Sequence, residues 1–308
     1  MEGIVNRAML RSLRQELPNY PVDPELFEKV YPVVDFESFL RWWDYHWPIL
    51  KTPAIFYPIL ERYISGLKAQ QVRYAEIMVS LGMLPEDTPA VVDQMTALRE
   101  WMNWREENLI QIEFLITLGR NRSADEMSAR EARVLALHEA GLIVGVALAG
   151  IEQDFPVRPF QKTFDLFHEA GLGIEIHAGE WCGPESVWDA LEYGHPDRIG
   201  HGVSLFQDAR LVELFTERPI HIEMCPTSNL KTGSVKCIQE HPIRLARDLG
   251  LSFSVNTDDP GPFECSLESE YELLADTFGF DEGDWQRIYE NSLAARFQPD
   301  LRVQMYEK

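Results

Sequence analysis

The stretch "PFQKTFDLFHEAGLGIEIHAGEWCGPESVWDALEYGHPDRIGHG", residues 159–202, reads as helix, strand, helix, strand with a turn signal at each join. Phe160, Phe164 and Phe167 recur at i, i+4 and i+7, which puts three rings on one helical face, and Gly171 supplies the stop. "GIEIHAGE" (173–180) then alternates apolar and polar residues as a strand does. "PESVWDALEYG" returns to helical spacing, and "RIGHG" (198–202) is again short and apolar. Strand, helix and strand in succession make the unit of a parallel sheet with helices outside it.

The same alternation extends in both directions. "VRYAEIMV" (72–79), "IQIEFLITLG" (110–119), "LIVGVALAG" (142–150), "PIHIEMCPTS" (219–228) and "LSFSVNTDD" (251–259) are the other strand segments, and "DARLVELFTERP" is another helix, ending at Pro219. Strand starts recur about every 20–40 residues, as βα units require. No Ser/Gly-rich linker divides the chain, so residues 1–308 are expected to form one domain. A doubly wound open sheet would advertise a Gly-rich phosphate turn, and neither G-x-G-x-x-G nor G-x-x-x-x-G-K-[ST] occurs. Small and polar residues instead gather at the C-terminal ends of four late strands: His177 with Glu180, His201, Thr227 with Ser228 and Asn229, and Asp258 with Asp259. Barrel enzymes build their sites at that face. The fold class expected is α/β, a (β/α)8 TIM-type barrel, although only seven strand segments are present and a closed barrel needs eight.

Composition narrows the function. The 50 acidic residues against 28 basic ones give a formal charge of −22, which excludes a protein that grips a phosphate backbone. The four cysteines (Cys182, Cys225, Cys237, Cys265) form no C-x-x-C pair and suggest reduced thiols rather than a disulfide framework. Neither a secretory leader nor an apolar run of about 18 residues is present, so the expected location is cytoplasmic, with no membrane or nucleic-acid partner.

Three short motifs carry the chemistry. In "VNTDDP" two adjacent aspartates repel each other unless a cation or donor compensates, and Pro260 holds Asp259 extended. The same pair could be a solvated turn with an N-cap. In "DRIGHGVS" His201 stands between two glycines, which let a ligand or the backbone come close to the ring. In "HAGE" the small Ala178 and Gly179 would let a substrate lie against the strand end. Each motif alone has a structural reading. Together, two histidines, a glutamate and an aspartate are the inventory of metal-assisted hydrolysis with acid and base support.

"HAGE", "RIGHG", "CPTSN" and "NTDDP", in this order and near this spacing, resemble the adenosine and adenine deaminase family of the amidohydrolase superfamily. "VALAGIE" is similar to that family's substrate-contacting D-L-A-G-D-E loop. The resemblance runs from about Val72 to the end of the chain and implies a zinc-dependent hydrolase that replaces the exocyclic amine of a purine by oxygen. It implies His177 and Asp258 as zinc ligands, Glu180 as the acid that protonates the purine ring nitrogen, and His201 as the residue that orients or deprotonates the attacking water. Asp259 would bond the imidazole side of the purine and the Gly150 backbone the pyrimidine side. One zinc ion per complete protein is implied, with a small purine as the partner and the oligomeric state open. The cytidine-type zinc deaminases would show P-C-x-x-C, which is absent.

Three departures from the pattern matter. The family's first strand carries H-x-H, and the eight histidines here include no such pair. Glu2-Gly3 match the end of that motif, with the next helix starting near Asn6, so both are expected at the substrate. The expectation is a chain that starts one strand late, through a start site placed too far downstream or a fragmentary gene, and that binds zinc weakly with little turnover. Ile151 stands where the loop usually has aspartate. Glu2, where adenosine-specific relatives tend to carry aspartate, and "GPESVW" point away from strict adenosine specificity. Adenosine-like nucleosides are expected first, with free adenine and 6-aminodeoxyfutalosine as competitors and a non-catalytic purine-binding barrel as the alternative of another class. The aromatic run at 41–60 reads either as a helical lid within residues 1–60 or as helices packed on the barrel. Cys182 and Cys225 are read as packing residues, His195 and His221 as structural or solvent-facing, and Glu185 and Asp189 as solvated.

Overall fold

A computed structural model of the chain describes residues 2–16, 29–50, 53–103, 110–218 and 220–297. They group into two compact units, one of residues 73–224, 242–254 and 281–308, the other of residues 1–72, 225–241 and 255–280.

The first unit is built on a parallel sheet. Its strands are β1 (Tyr74–Ser80), β2 (Gln111–Gly119), β3 (Gly145–Ala149), β4 (Gly173–Ala178), β5 (Arg198–His201), β6 (His221–Met224) and β7 (Phe253–Val255), in spatial order β1 to β7. Neighbours from β1 to β6 pair in parallel, with Glu175 opposite Arg198 and His177 opposite Gly200. Helices occupy the crossovers, including Gln161–Glu169, where Phe164 and Phe167 are wholly buried and Phe160 just before them nearly so, as the spacing predicts. The sheet curls. Arg198 on β5 reaches Glu76 on β1 at 2.5 Å and Glu223 on β6 at 2.8 Å, whereas four strand spacings in a flat sheet would put β1 and β5 roughly 19 Å apart. Phe297 lies over the Arg198 guanidinium at 3.5 Å and fills the space that Gly145 and Gly173 leave open. Among the described residues, seven parallel strands in chain order, curled on themselves, match a TIM-type barrel short of its first strand.

Two strands are shorter than their sequence suggests. β6 stops at Met224 because Pro226 opens a helix, Pro226–Thr232. β7 stops at Val255, and Asp259 stands at the start of a short helix, Pro260–Phe263.

The second unit is helical. Asn6 Oδ1 accepts from the Met9 amide at 2.9 Å and starts the helix Arg7–Glu16, where the motif places it. The aromatic segment forms helices Phe36–Leu50 and Pro53–Ala69; the Pro48 and Pro53 side chains lie outside the described residues. Trp42 is completely buried and donates from Nε1 to the Tyr31 hydroxyl at 2.7 Å, and His46 stacks on it at 4.2 Å. Phe39 stacks on Phe263 at 5.2 Å, so this helix packs against the turn that follows Asp259. These side chains pack within the helical unit. No described helix is long and apolar enough to cross a membrane, and all four cysteines are free thiols.

Candidate active site

Within the sheet unit, the ends of β4 and β5 bring His177, Glu180 and His201 together. The two imidazoles lie 4.9 Å apart at 76°, and Glu180 Oε2 is 3.6 Å from His201 Nε2. His201 is buried and holds φ of 63°, a left-handed conformation that costs a non-glycine residue free energy and must be enforced by its surroundings. Gly202 continues that turn at φ 61°, with Ile222 against the place where a Cβ would stand. Gly179 also has positive φ, and a Cβ there would meet Ser204 Oγ at 2.7 Å and Val187 at 2.8 Å. The small residues of "HAGE" and "RIGHG" thus serve the protein's own packing, with Ala178 wholly buried.

Three charged residues that the motifs do not single out build this half. Glu175, two residues before His177 on the same strand face, places Oε1 2.7 Å from His177 Nδ1. Glu152, at the end of the "VALAGIE" loop, is buried and accepts from the Glu180 and Cys182 amides, each at 3.0 Å. Arg120, equally buried, donates to the Phe155 carbonyl at 3.2 Å and to the His177 carbonyl. A signal for Glu152 was present in its loop motif and a weaker one for Glu175 in its i, i+2 spacing from His177; Arg120 reaches His177 from another part of the sheet and leaves no local mark. Gly150 has φ of 106° at the end of β3, Ile151 is exposed, and burial, then Glu152, push the Cys182 thiol up, away from nucleophile chemistry. Asp189 is not solvated as expected, because its carboxylate accepts the Val157 amide, while His221 is structural, bonded to Ser252 and Ser254 at 2.9 Å each.

Within the helical unit, Asp258, Asp259, Glu2 and Gly3 are placed near one turn. Asp258 has φ of 54° and accepts from Ser228 Oγ at 2.6 Å, which gives "CPTSN" one of its roles. Its neighbour Thr227 donates its amide to buried Glu270 at 3.1 Å, and Asn229 meets His241 at 3.2 Å. Burial pushes the Glu270 carboxyl up, so it holds its proton to higher pH than an exposed glutamate. Gly3 abuts Asp259 so closely that a Cβ would collide with that carboxylate, and Glu2 is buried beside it in the turn Glu2–Ile4. Gly261, after Asp259, is pressed equally hard on the Val5 backbone. The start of the chain is therefore packed on the "NTDDP" turn.

The donor set suits zinc. His177 pairs its Nδ1 with a buried carboxylate, the arrangement that orients a ligating imidazole, and aspartate and imidazole are ordinary zinc donors.

Comparison with known proteins shows what the chain as a whole is similar to. Residues 11–305 match the family model described as adenosine deaminase. An adenine deaminase of Sinorhizobium fredii is 33% identical over 286 residues, covering 90% of this chain and 86% of that protein. An aminodeoxyfutalosine deaminase of Streptomyces avermitilis is 32% identical over 280 residues, covering 90% and 78%. The crystal structure of an adenine deaminase from Arthrobacter aurescens superposes with a TM-score of 0.85 at 25% identity, covering 98% of this chain and 93% of that one.

Proposed function

We infer that this chain, which belongs to the adenosine deaminase family, is an aminohydrolase acting on free adenine first among 6-aminopurines. Purine deamination is the family's general chemistry, and the relatives do not restrict it to adenosine, the substrate that the motifs alone favoured. The observation that carries the reading is the grouping of His177, Glu180 and His201 at the ends of β4 and β5. Aminodeoxyfutalosine is the second candidate, because a relative of that name matches nearly as well.

We assign His177 and Asp258 to the zinc ion, which when bound makes water acidic enough to be deprotonated near neutral pH. His201 would orient the attacking water or take its proton. Glu180 delivers a proton to the ring nitrogen beside the carbon under attack, which spares the transition state a buried anion. Asp259 bonds the imidazole side of the purine, the Gly150 backbone bonds the other side, and Glu2 and Gly3 shape the site beside Asp259. Residues 1–308 then act as one hydrolase domain in the cytoplasm, with the aromatic helices serving as a lid. With no H-x-H among the eight histidines, zinc held by this polypeptide is expected to be weak and easily removed by a chelator.

The test is ammonia release from zinc-supplemented protein given adenine, adenosine or aminodeoxyfutalosine separately. Turnover of adenine above the other two is expected. Preference for adenosine would overturn the substrate assignment, and zinc-independent purine binding without ammonia would favour the non-catalytic alternative.

A further inference from the structure

We propose that Glu175 is a positioning residue that fixes the tautomer of His177, so that Nε2 is the atom His177 offers to zinc, and that Gly200 is glycine to make room for this pair. The inference rests on the reading of His177 as a metal ligand.

Glu175 is wholly inside the curled sheet. Only its Oε1 is engaged, at 2.7 Å from His177 Nδ1, and its Oε2 is buried without a hydrogen-bond partner. Burying a carboxylate with half its acceptor capacity unmet is costly, and an alternating strand could fill the same slot with an apolar side chain. A carboxylate facing an imidazole can only accept. Nδ1 therefore carries the hydrogen, which leaves the ring's lone pair on Nε2.

The neighbouring strand is shaped for this bond. Gly200 on β5 is the register partner of His177 on β4. A Cβ at Gly200 would fall on Glu175 Oε1, would stand 2.8 Å from His177 Nδ1, and would lie 3.2 Å from the His177 Cα. Its backbone has no left-handed φ that would call for glycine, so the reason is space alone. Arg120 fixes the same strand from another side by donating to the His177 carbonyl. Glu175 on β4, Gly200 on β5 and Arg120 just after β2 thus serve the placement of one imidazole, and the Glu175 bond selects its ligand atom. Removing such a carboxylate from behind a ligating histidine typically costs 10- to 100-fold in metal affinity.

The test uses the full 308-residue chain, labelled with 15N-histidine and free of metal, at slightly alkaline pH. Long-range 1H–15N spectra report the tautomer of each ring, and His177→Asn identifies the His177 signals. The Nδ1–H form is expected in the parent, a shift toward Nε2–H in Glu175→Leu, and retention in Glu175→Gln, which keeps an acceptor of the same size. Gly200→Ala should disturb the His177 signals as Glu175→Leu does, and disturb them less in a Glu175→Ala background, where the collision with Oε1 is gone and only the contacts with His177 itself remain. Zn2+ alone, titrated against a chromophoric chelator, should bind about 10- to 100-fold more weakly to Glu175→Leu and Gly200→Ala than to the parent, and closer to parent in Glu175→Gln. Circular dichroism checks folding, and should the leucine variant not fold, the Gln and Gly200→Ala arms decide. An unchanged tautomer and zinc affinity on loss of Glu175 would overturn the proposal, as would a Gly200→Ala effect that is the same with and without Glu175. Absence of turnover on every purine with the expected tautomer shifts would sink the deaminase reading and leave this one standing.

Discussion

Glu180 and Glu152 show how much one carboxylate can depend on another. Glu180 is the proposed proton donor, and Glu152 holds the backbone that carries it through two amides at 3.0 Å. Glu180→Gln should cut kcat by about 100- to 10,000-fold, the usual weight of a general acid, while zinc content measured by metal analysis stays at the parent value. Retained turnover would remove Glu180 from that role. Glu152→Gln keeps the shape but turns an amide group toward at least one of the two N–H donors. A buried donor left unmatched costs roughly 1–3 kcal/mol, so a matching loss in denaturant stability is expected, with kcat falling more than KM rises. A variant that loses stability with kcat untouched would make Glu152 a purely structural brace.

At the scale of elements, the strands whose ends carry "HAGE" and "RIGHG" were legible because alternation and flanking glycines are local signals. The Phe160, Phe164 and Phe167 face was legible for the same reason. The ends of β6 and β7 were not: the positive φ of Asp258 is imposed by surroundings, and Pro226 begins a helix that the motif "CPTSN" disguises as strand. Nor were Arg120 and the Arg198–Glu76 pair, whose partners lie on other strands and emerge only when the sheet curls; Glu175 shares β4 with His177, but its position two residues earlier does not by itself mark a paired carboxylate. One consequence can be measured. Gly173 and Gly145 at the starts of β4 and β3 both face the ring of Phe297. Gly173→Ala should destabilise the protein by about 1–3 kcal/mol through overpacking, and Phe297→Ala by about 3–5 kcal/mol through a cavity. In the Phe297→Ala background the Gly173→Ala penalty should largely vanish, because the colliding ring is gone. Additive losses in urea unfolding would mean that Phe297 does not fill that space in solution.

For the molecule as a whole, buried ionisable groups set how stability depends on pH, and they do not all pull the same way. Burial lowers His46 to about 4 and His221 to about 3, with Arg198 adding to the latter. Both stay neutral in the fold at pH 5 while an unfolded chain would protonate them below its ordinary value near 6.5. Their contribution is therefore complete above pH 6.5 and is lost as pH falls toward the folded values, at up to about 1.4 kcal/mol per pH unit each. Glu223 and Glu270 are raised by burial, so they stabilise the fold in acid and lose that contribution as pH rises through their folded values. The two effects overlap near pH 5, and a titration of the parent alone would show only their sum. Replacing one group separates them. His46→Gln cannot titrate, so relative to the parent it should gain roughly 2 kcal/mol between pH 7 and pH 5, whatever it loses at pH 7 from the altered contact with the Trp42 carbonyl at 2.7 Å. Glu270→Gln should shift the opposite way over the same interval, its slope read from denaturant midpoints at each pH. Parallel pH curves for parent and His46→Gln would show that His46 is protonated equally in both states, and so is not sealed beside Trp42.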